Sequence, residues 1–366
     1  MNIIATNPFT PQSGLEPKIL GGREKLVEEF IQLLERRKQG EHFHQLLLGE
    51  WGMGKTSLLK FYKKLTQNKG FKAVYVSLPK ISPRESVKGV LVALIEEIIF
   101  GLGIHVDSGI EKTSKNISLS LIKTLEEIFK NADNELLVVC IDDVQNISAL
   151  PQALDILRLA LSNDIIISNT NYLFLLASTP SGWRSFLQKY DPIGRFFRKK
   201  QILEKLDYDS FKNTIEKTIK NTGIMFDEEV IVNCWEYCQG HPYELQLLAN
   251  QLYDNQSKGI VDMGCWEVSL LNTLKDLGIE YFSTLYNRAS DREKVLLDIF
   301  AQKKSYLSLS ELKESIIFER KEKGYPVSNI KNFIYRLVDK GLILRNEDKQ
   351  YRILDNMFAE YILRFQ

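Results

Sequence analysis

The stretch Leu46–Leu59, "LLLGEWGMGKTSLL", decides the fold. It reads as an apolar strand, a glycine-rich turn and the start of a helix. Within it, Gly49–Thr56, "GEWGMGKT", fits the phosphate-loop pattern G-x-x-x-x-G-K-[ST] in full. Glycines permit backbone angles closed to other residues, so successive N–H groups can point at one anion. The helix that follows adds the positive end of its dipole. Lys55 is placed to reach the β- and γ-phosphates of a nucleotide, and the Thr56 hydroxyl to ligate Mg2+. The expected nucleotide contacts are Gly49, Trp51, Gly52, Met53, Gly54, Lys55, Thr56 and Ser57.

Outward from this loop, strand and helix patterns alternate. Upstream, Leu26, Phe30, Leu33 and Leu34 recur at helical spacing and Gly40 ends the run. Downstream, strand patterns cover Lys72–Leu78, Leu136–Asp142, Asn171–Ser178 and Lys199–Leu206. Helical patterns lie between them, over Lys55–Gln67, Ser86–Leu102, Leu119–Asn131, Leu150–Leu161 and Ser181–Lys189. Strands alternating with helices predict an α/β domain with a mainly parallel sheet, because parallel neighbours need helical crossovers. After Leu206 the strand signal stops. Asp209–Asn221, Asp227–Cys238, Pro242–Tyr253 and Cys265–Leu274 read as a small helical domain. Three more helices, Arg292–Gln302, Ser310–Phe318 and Ser328–Asp339, lead into "GLILRNEDKQYRIL", two alternating strands around a polar turn. Three helices and a hairpin outline a winged helix. The expected fold is therefore a P-loop NTPase parallel sheet over residues 1–207, a helical lid over 208–288 and a winged helix over 289–366.

Composition sets wide bounds. The chain has 366 residues, 44% of them hydrophobic, ample for two or three domains with buried cores. Lysine plus arginine (48) nearly cancels aspartate plus glutamate (47), so global charge advertises neither nucleic-acid nor membrane binding. Four cysteines are too few for a disulfide framework in a chain this long. The first residues lack a basic region followed by an apolar run. The most apolar helical stretch, Gly89–Ile104, carries Glu96 and Glu97 and is too short to span a bilayer. A soluble, cytoplasmic protein that does not enter membranes is the expectation.

Four further features bear on chemistry. The strand "LLVVCIDD" ends in two carboxylates, with Asp142 assigned to Mg2+ and Asp143 to the attacking water. Ser178 or Thr179 ends the next strand, where a hydroxyl can help position that water or simply close the strand; Ser178 is taken as the candidate. "DPIGRFFRKK" offers Arg195 and Arg198 as positive charges for a transition state, in the same or a neighbouring subunit, or as a solvated basic turn. Cys234, Cys238 and His241 fall one ligand short of a closed zinc site and read as core.

The set "LGGRE" (Leu20–Glu24), "GEWGMGKT", "VVCIDD", "GRFFR" and "GHP" resembles AAA+/STAND-type P-loop ATPases, specifically the archaeal-type group related to the origin-recognition initiators of archaea. The resemblance implies ATP with Mg2+ as the cofactors. It places Gly22 and Arg23 in a motif near the adenine, and Gly240, His241 and Pro242 in a lid motif that senses the nucleotide. The lid motif has no arginine identifiable as a second sensor. The expected function is an ATPase switch, with a DNA-binding factor that holds nucleotide structurally as the alternative. Partners would be double-stranded DNA or another protein. From Lys303 to Arg352 the chain has twelve basic and seven acidic residues, including Lys331, Arg336 and Lys340 on the third helix and Arg345, Lys349 and Arg352 on the hairpin. That excess suits phosphate contacts, and equally a solvated surface.

Overall fold

The computed structural model describes residues 6–12, 19–106, 116–133, 135–189, 191–197, 199–320 and 329–366. By its contacts the chain forms two compact units: residues 12–204, and residues from 205 to the end together with those up to Pro11.

The unit of residues 12–204 is built on five parallel strands: β1 (Gln45–Leu48), β2 (Lys72–Ser77), β3 (Leu137–Asp142), β4 (Tyr172–Ser178) and β5 (Lys199–Ile202), in the order β2-β3-β4-β1-β5. The expected P-loop NTPase sheet is therefore present. The central strands β3 and β4 are buried along their whole length because both faces are covered, whereas the edge strand β5 is partly exposed. Leu47, Val138, Cys140, Leu173 and Leu175 pack with Phe30, Leu34, Leu58 and Tyr62 from helices α1 (Glu24–Lys38) and α2 (Lys55–Asn68). The alternate residues Leu46, Leu48, Val139, Ile141, Phe174 and Leu176 join a second core. It is covered by α3 (Val87–Leu102), α4 (Ile117–Ala132) and α5 (Pro151–Leu161). Strand β5 stops at Ile202, short of the expected Leu206. Its partner β1 has four residues, and the last pair in register is Leu48 with Ile202.

The other unit begins with helices Tyr208–Ile219, Glu228–Cys238, Pro242–Asp254 and Trp266–Leu277. Two short parallel strands, Met225–Phe226 and Ile260–Val261, were not legible as strands at two residues each. Helices Asp291–Lys303, Leu309–Arg320 and Ile330–Asp339 follow, then an antiparallel hairpin of Ile343–Arg345 with Tyr351–Ile353. A last helix, Asn356–Phe365, was also not anticipated; Asp355 caps it by accepting from Phe358 N–H. The expected core of residues 1–207 takes in the opening segment, which the contacts instead group with this unit. Phe9 is buried there against Phe226 and Tyr253, and Asn7 Nδ2 donates to Asn250 O and Asp254 Oδ1.

Gly240 holds a tight approach in this unit. Its φ is +79°, and a Cβ there would lie 2.1 Å from Leu206 O. Leu206 N–H in turn donates to Gly240 O at 2.8 Å. Left-handed strain and overpacking each cost ~1–3 kcal/mol. Gly240→Ala should therefore lower stability by roughly 2–4 kcal/mol, read from a shift in the urea midpoint at unchanged m-value.

Candidate functional site

In a parallel sheet all strand C-termini meet at one edge, and the topology gathers the motifs there. Leu48 is in register with Ser178, and the N–H of Gly49 donates to Ser178 O at 3.2 Å. The turn then runs into α2 through Gly54, whose φ of +87° is the left-handed conformation glycine favours. Lys55 is buried, and its Nζ donates to Gly49 O and Glu50 O, both at 2.9 Å. Burial lowers its pKa; Asp142, Asp143 and Glu50 oppose that shift, in that order.

Thr56, in the first turn of α2, meets the end of β3. Its Oγ1 donates to Asp142 Oδ2 at 2.5 Å. Asp142 has no exposed surface and also accepts from Tyr75 OH at 3.0 Å and from Asp143 N–H at 2.9 Å. Asp143 sits at a φ of +54°, half-buried, and accepts from Gln145 Nε2 at 2.9 Å. Burial raises its pKa most, then the Asp142 charge; Gln145 and Lys55 pull it back.

The site thus brings together a buried ammonium, a hydroxyl and a carboxylate sharing one hydrogen bond, and a second carboxylate with raised pKa. This donor set fits a nucleotide phosphate and a hard cation. Among the described residues no group of three or more His, Cys, Asp or Glu is placed to hold a metal. Mg2+ does not need one, since it is commonly held by one or two protein oxygens together with water and phosphate oxygens.

The other expected site residues fall in several places. Gly52 has a positive φ within the loop, and Trp51 and Ser57 flank it half-buried. The Met53 side chain is buried in the core below the loop, and its N–H donates to Glu50 O at 3.4 Å. Gly22 precedes Arg23, whose guanidinium donates to Met53 O at 3.4 Å and to Glu204 O at 2.7 Å. Arg23 therefore fastens the phosphate loop to the chain beyond β5. Ser178 is buried with its hydroxyl donating to Thr179 O at 3.1 Å.

Arg195 is exposed and is not brought to this cluster. It borders a cavity of about 520 Å³ at the opposite edge of the sheet, with His44, Tyr172 and Lys199 from the strand starts. Arg198 lies outside the described residues. Pro242 belongs to the other unit, at the start of helix Pro242–Asp254, where His241 Nδ1 accepts from Glu244 N–H at 3.4 Å. Tyr75 and Gln145 touch the two acids and were missed. Gln145 lies two residues past Asp143 in "DDVQN", a spacing that offered a signal; Tyr75 gave none beyond its place in a strand.

Residues 21–185 match the family model described as "AAA domain". No curated protein matches the chain. Among solved structures, it is similar to a Walker-type ATPase of Pyrococcus abyssi, at 16% identity and a TM-score of 0.69, covering 97% of this chain and 99% of that one. The Aeropyrum pernix ORC2 protein, solved as ADPNP–ADP complexes, is similar at 14% identity and a TM-score of 0.67, covering 96% and 97%. The Aeropyrum pernix ORC1 protein, solved in complex with DNA, is similar at 15% identity and a TM-score of 0.52, covering 97% and 95%. The chain thus carries an AAA domain match over residues 21–185 and shares its fold with these solved structures.

Proposed function

We propose, on the premise of the AAA domain in residues 21–185, that the chain is a cytoplasmic ATPase of the AAA+/STAND type that uses Mg-ATP binding and slow hydrolysis as a conformational switch. The observation that carries this is the meeting of Lys55, Thr56, Asp142 and Asp143 at one sheet edge. Backbone N–H groups of the loop leading to Gly54 would cradle the phosphates, with the Lys55 ammonium leaving its loop carbonyls for phosphate oxygens. Thr56 and Asp142 would hold Mg2+, which when bound offsets the phosphate charge. Asp143, as the carboxylate, takes a proton from the attacking water, and Ser178 helps position that water. Arg195, at the other sheet edge, would serve the site of a neighbouring copy rather than its own.

In this reading, residues 208–288 form a lid that senses nucleotide through Pro242, and residues 289–366 form a winged helix that binds duplex DNA. Phosphate contacts need basic side chains that reach the surface. Lys331, Arg336, Arg345 and Lys349 are exposed. Lys340 instead pairs with buried Glu293 at 2.6 Å, and Arg352 donates to Gln239 Oε1 at 2.7 Å. The exposed four, not the full six, are the expected footprint. Fluorescence anisotropy with duplex DNA tests this, with and without ATP and at two salt concentrations. Replacing Lys331 and Arg336 by alanine should weaken binding across sequences and reduce the salt slope by roughly one per lost phosphate contact. No binding at low salt would remove DNA from the account and leave protein docking as the output of the switch.

A further inference from the structure

Just beyond the two acids, one side chain ties three parts of the first unit together. Residues Val144–Ile147 form a short 3-10 turn after β3. The turn is pinned from both sides. Val144 and Ile147 are buried, Asn146 N–H donates to Asp143 O, and Asn146 Nδ2 donates to Leu78 O at 2.7 Å. Gln145 projects from this fixed turn and uses both ends of its amide. Its Nε2 donates to Asp143 Oδ1 at 2.9 Å, and its Oε1 accepts the N–H of Thr179 at 3.2 Å. Thr179 directly follows β4, and its Oγ1 accepts from Gly182 N–H at 3.1 Å in the helix Pro180–Lys189.

Gly182 leaves the room this arrangement needs. A Cβ there would lie 2.3 Å from Gln145 Cβ and 2.8 Å from Thr179 Oγ1. Asp143 meanwhile has a backbone conformation that non-glycine residues visit at a cost, which persists where surrounding structure holds it.

We infer that Gln145 is a positioning residue for hydrolysis. It clamps the Asp143 carboxylate to the β4–helix turn and fixes the direction in which Asp143 faces the water. The inference rests on the ATPase reading above, which makes Asp143 the group that takes the proton. Gln145 does not touch the phosphates; it acts through Asp143. The charged and titratable groups facing Asp143 are Asp142, Lys55 and Tyr75. Loss of the amide should leave the Asp143 carboxylate free to turn away from the water, so the chemical step suffers while nucleotide binding does not.

The test measures kcat and KM for ATP of the full chain in Gln145→Ala and in Gln145→Glu, the second of which keeps an acceptor for Thr179 N–H but replaces the donor to Asp143 by a charged acceptor. Misplacing a catalytic group by about 1 Å costs on the order of 100-fold, so kcat in Gln145→Ala should fall roughly 10- to 100-fold. KM for ATP should stay within about a factor of two, since binding is not involved. Gly182→Ala, which crowds Gln145 from the far side, should lower kcat in the same way, and Gln145→Glu should not restore it. An unchanged kcat in a folded Gln145→Ala chain, or a fall in kcat matched by an equal rise in KM, would overturn the inference. A rise in kcat would also overturn it, by making the bridge a restraint. If wild type releases no phosphate, the ATPase reading itself fails; wild type that turns over with Gln145→Ala at the same kcat overturns the role of Gln145 alone.

Discussion

Lys55→Ala should abolish measurable ATP binding while leaving the chain folded. The ammonium is the one buried cation shown at the phosphate edge of the first unit, and it lies over the loop that would receive the phosphates. A hydrogen bond to a charged group contributes ~1.5–3 kcal/mol, and a lysine spanning two phosphates makes about two of them. The expected loss in affinity is on the order of 100- to 10,000-fold. The same substitution removes two hydrogen bonds to Gly49 O and Glu50 O, so the loop itself loosens. Isothermal titration with ATP and magnesium measures the first effect. A thermal melt checks that the α/β core, which owes its stability to apolar burial on both sheet faces, is retained. Unchanged affinity would show that the loop does not hold the nucleotide.

Asp143→Asn should retain ATP binding and lose hydrolysis. The substitution keeps the shape of the side chain and an oxygen for Gln145 Nε2, but removes the group that accepts a proton. General-base catalysis contributes ~100- to 10,000-fold, so kcat should fall by that order with little change in ATP affinity. The pH dependence follows from the same group. Burial and the Asp142 charge raise the Asp143 pKa. As pH falls through that raised value the carboxylate is protonated, so hydrolysis is lost on the acid side sooner than an ordinary aspartate would dictate. That acid limb should be absent from whatever residual rate the variant retains.

The sheet was legible because its inner strands are nearly continuous apolar runs between turn signals. The two acids were legible because they end such a run. What stayed hidden depends on partners distant in sequence. The early end of β5 is set by the length of β1. The affiliation of Phe9 with Phe226 and Tyr253 is a contact across more than 200 residues that periodicity does not encode. Lys340 and Arg352 look like surface charge in the sequence, and each is turned to an internal partner, Glu293 and Gln239. Met53 sits inside the phosphate-loop pattern, yet its side chain belongs to the core. Arg195 precedes a parallel strand, so its place at the edge away from the phosphate loop was implicit in the topology and was not drawn out.

The most direct measurement is phosphate release from ATP and magnesium, with no added acceptor, by wild type beside Lys55→Ala and Asp143→Asn. The account predicts slow, magnesium-dependent release by wild type, and loss of release in both variants, with ATP still bound only by Asp143→Asn. Wild type that binds ATP and releases no phosphate, or variants that release it at the wild-type rate, would contradict it.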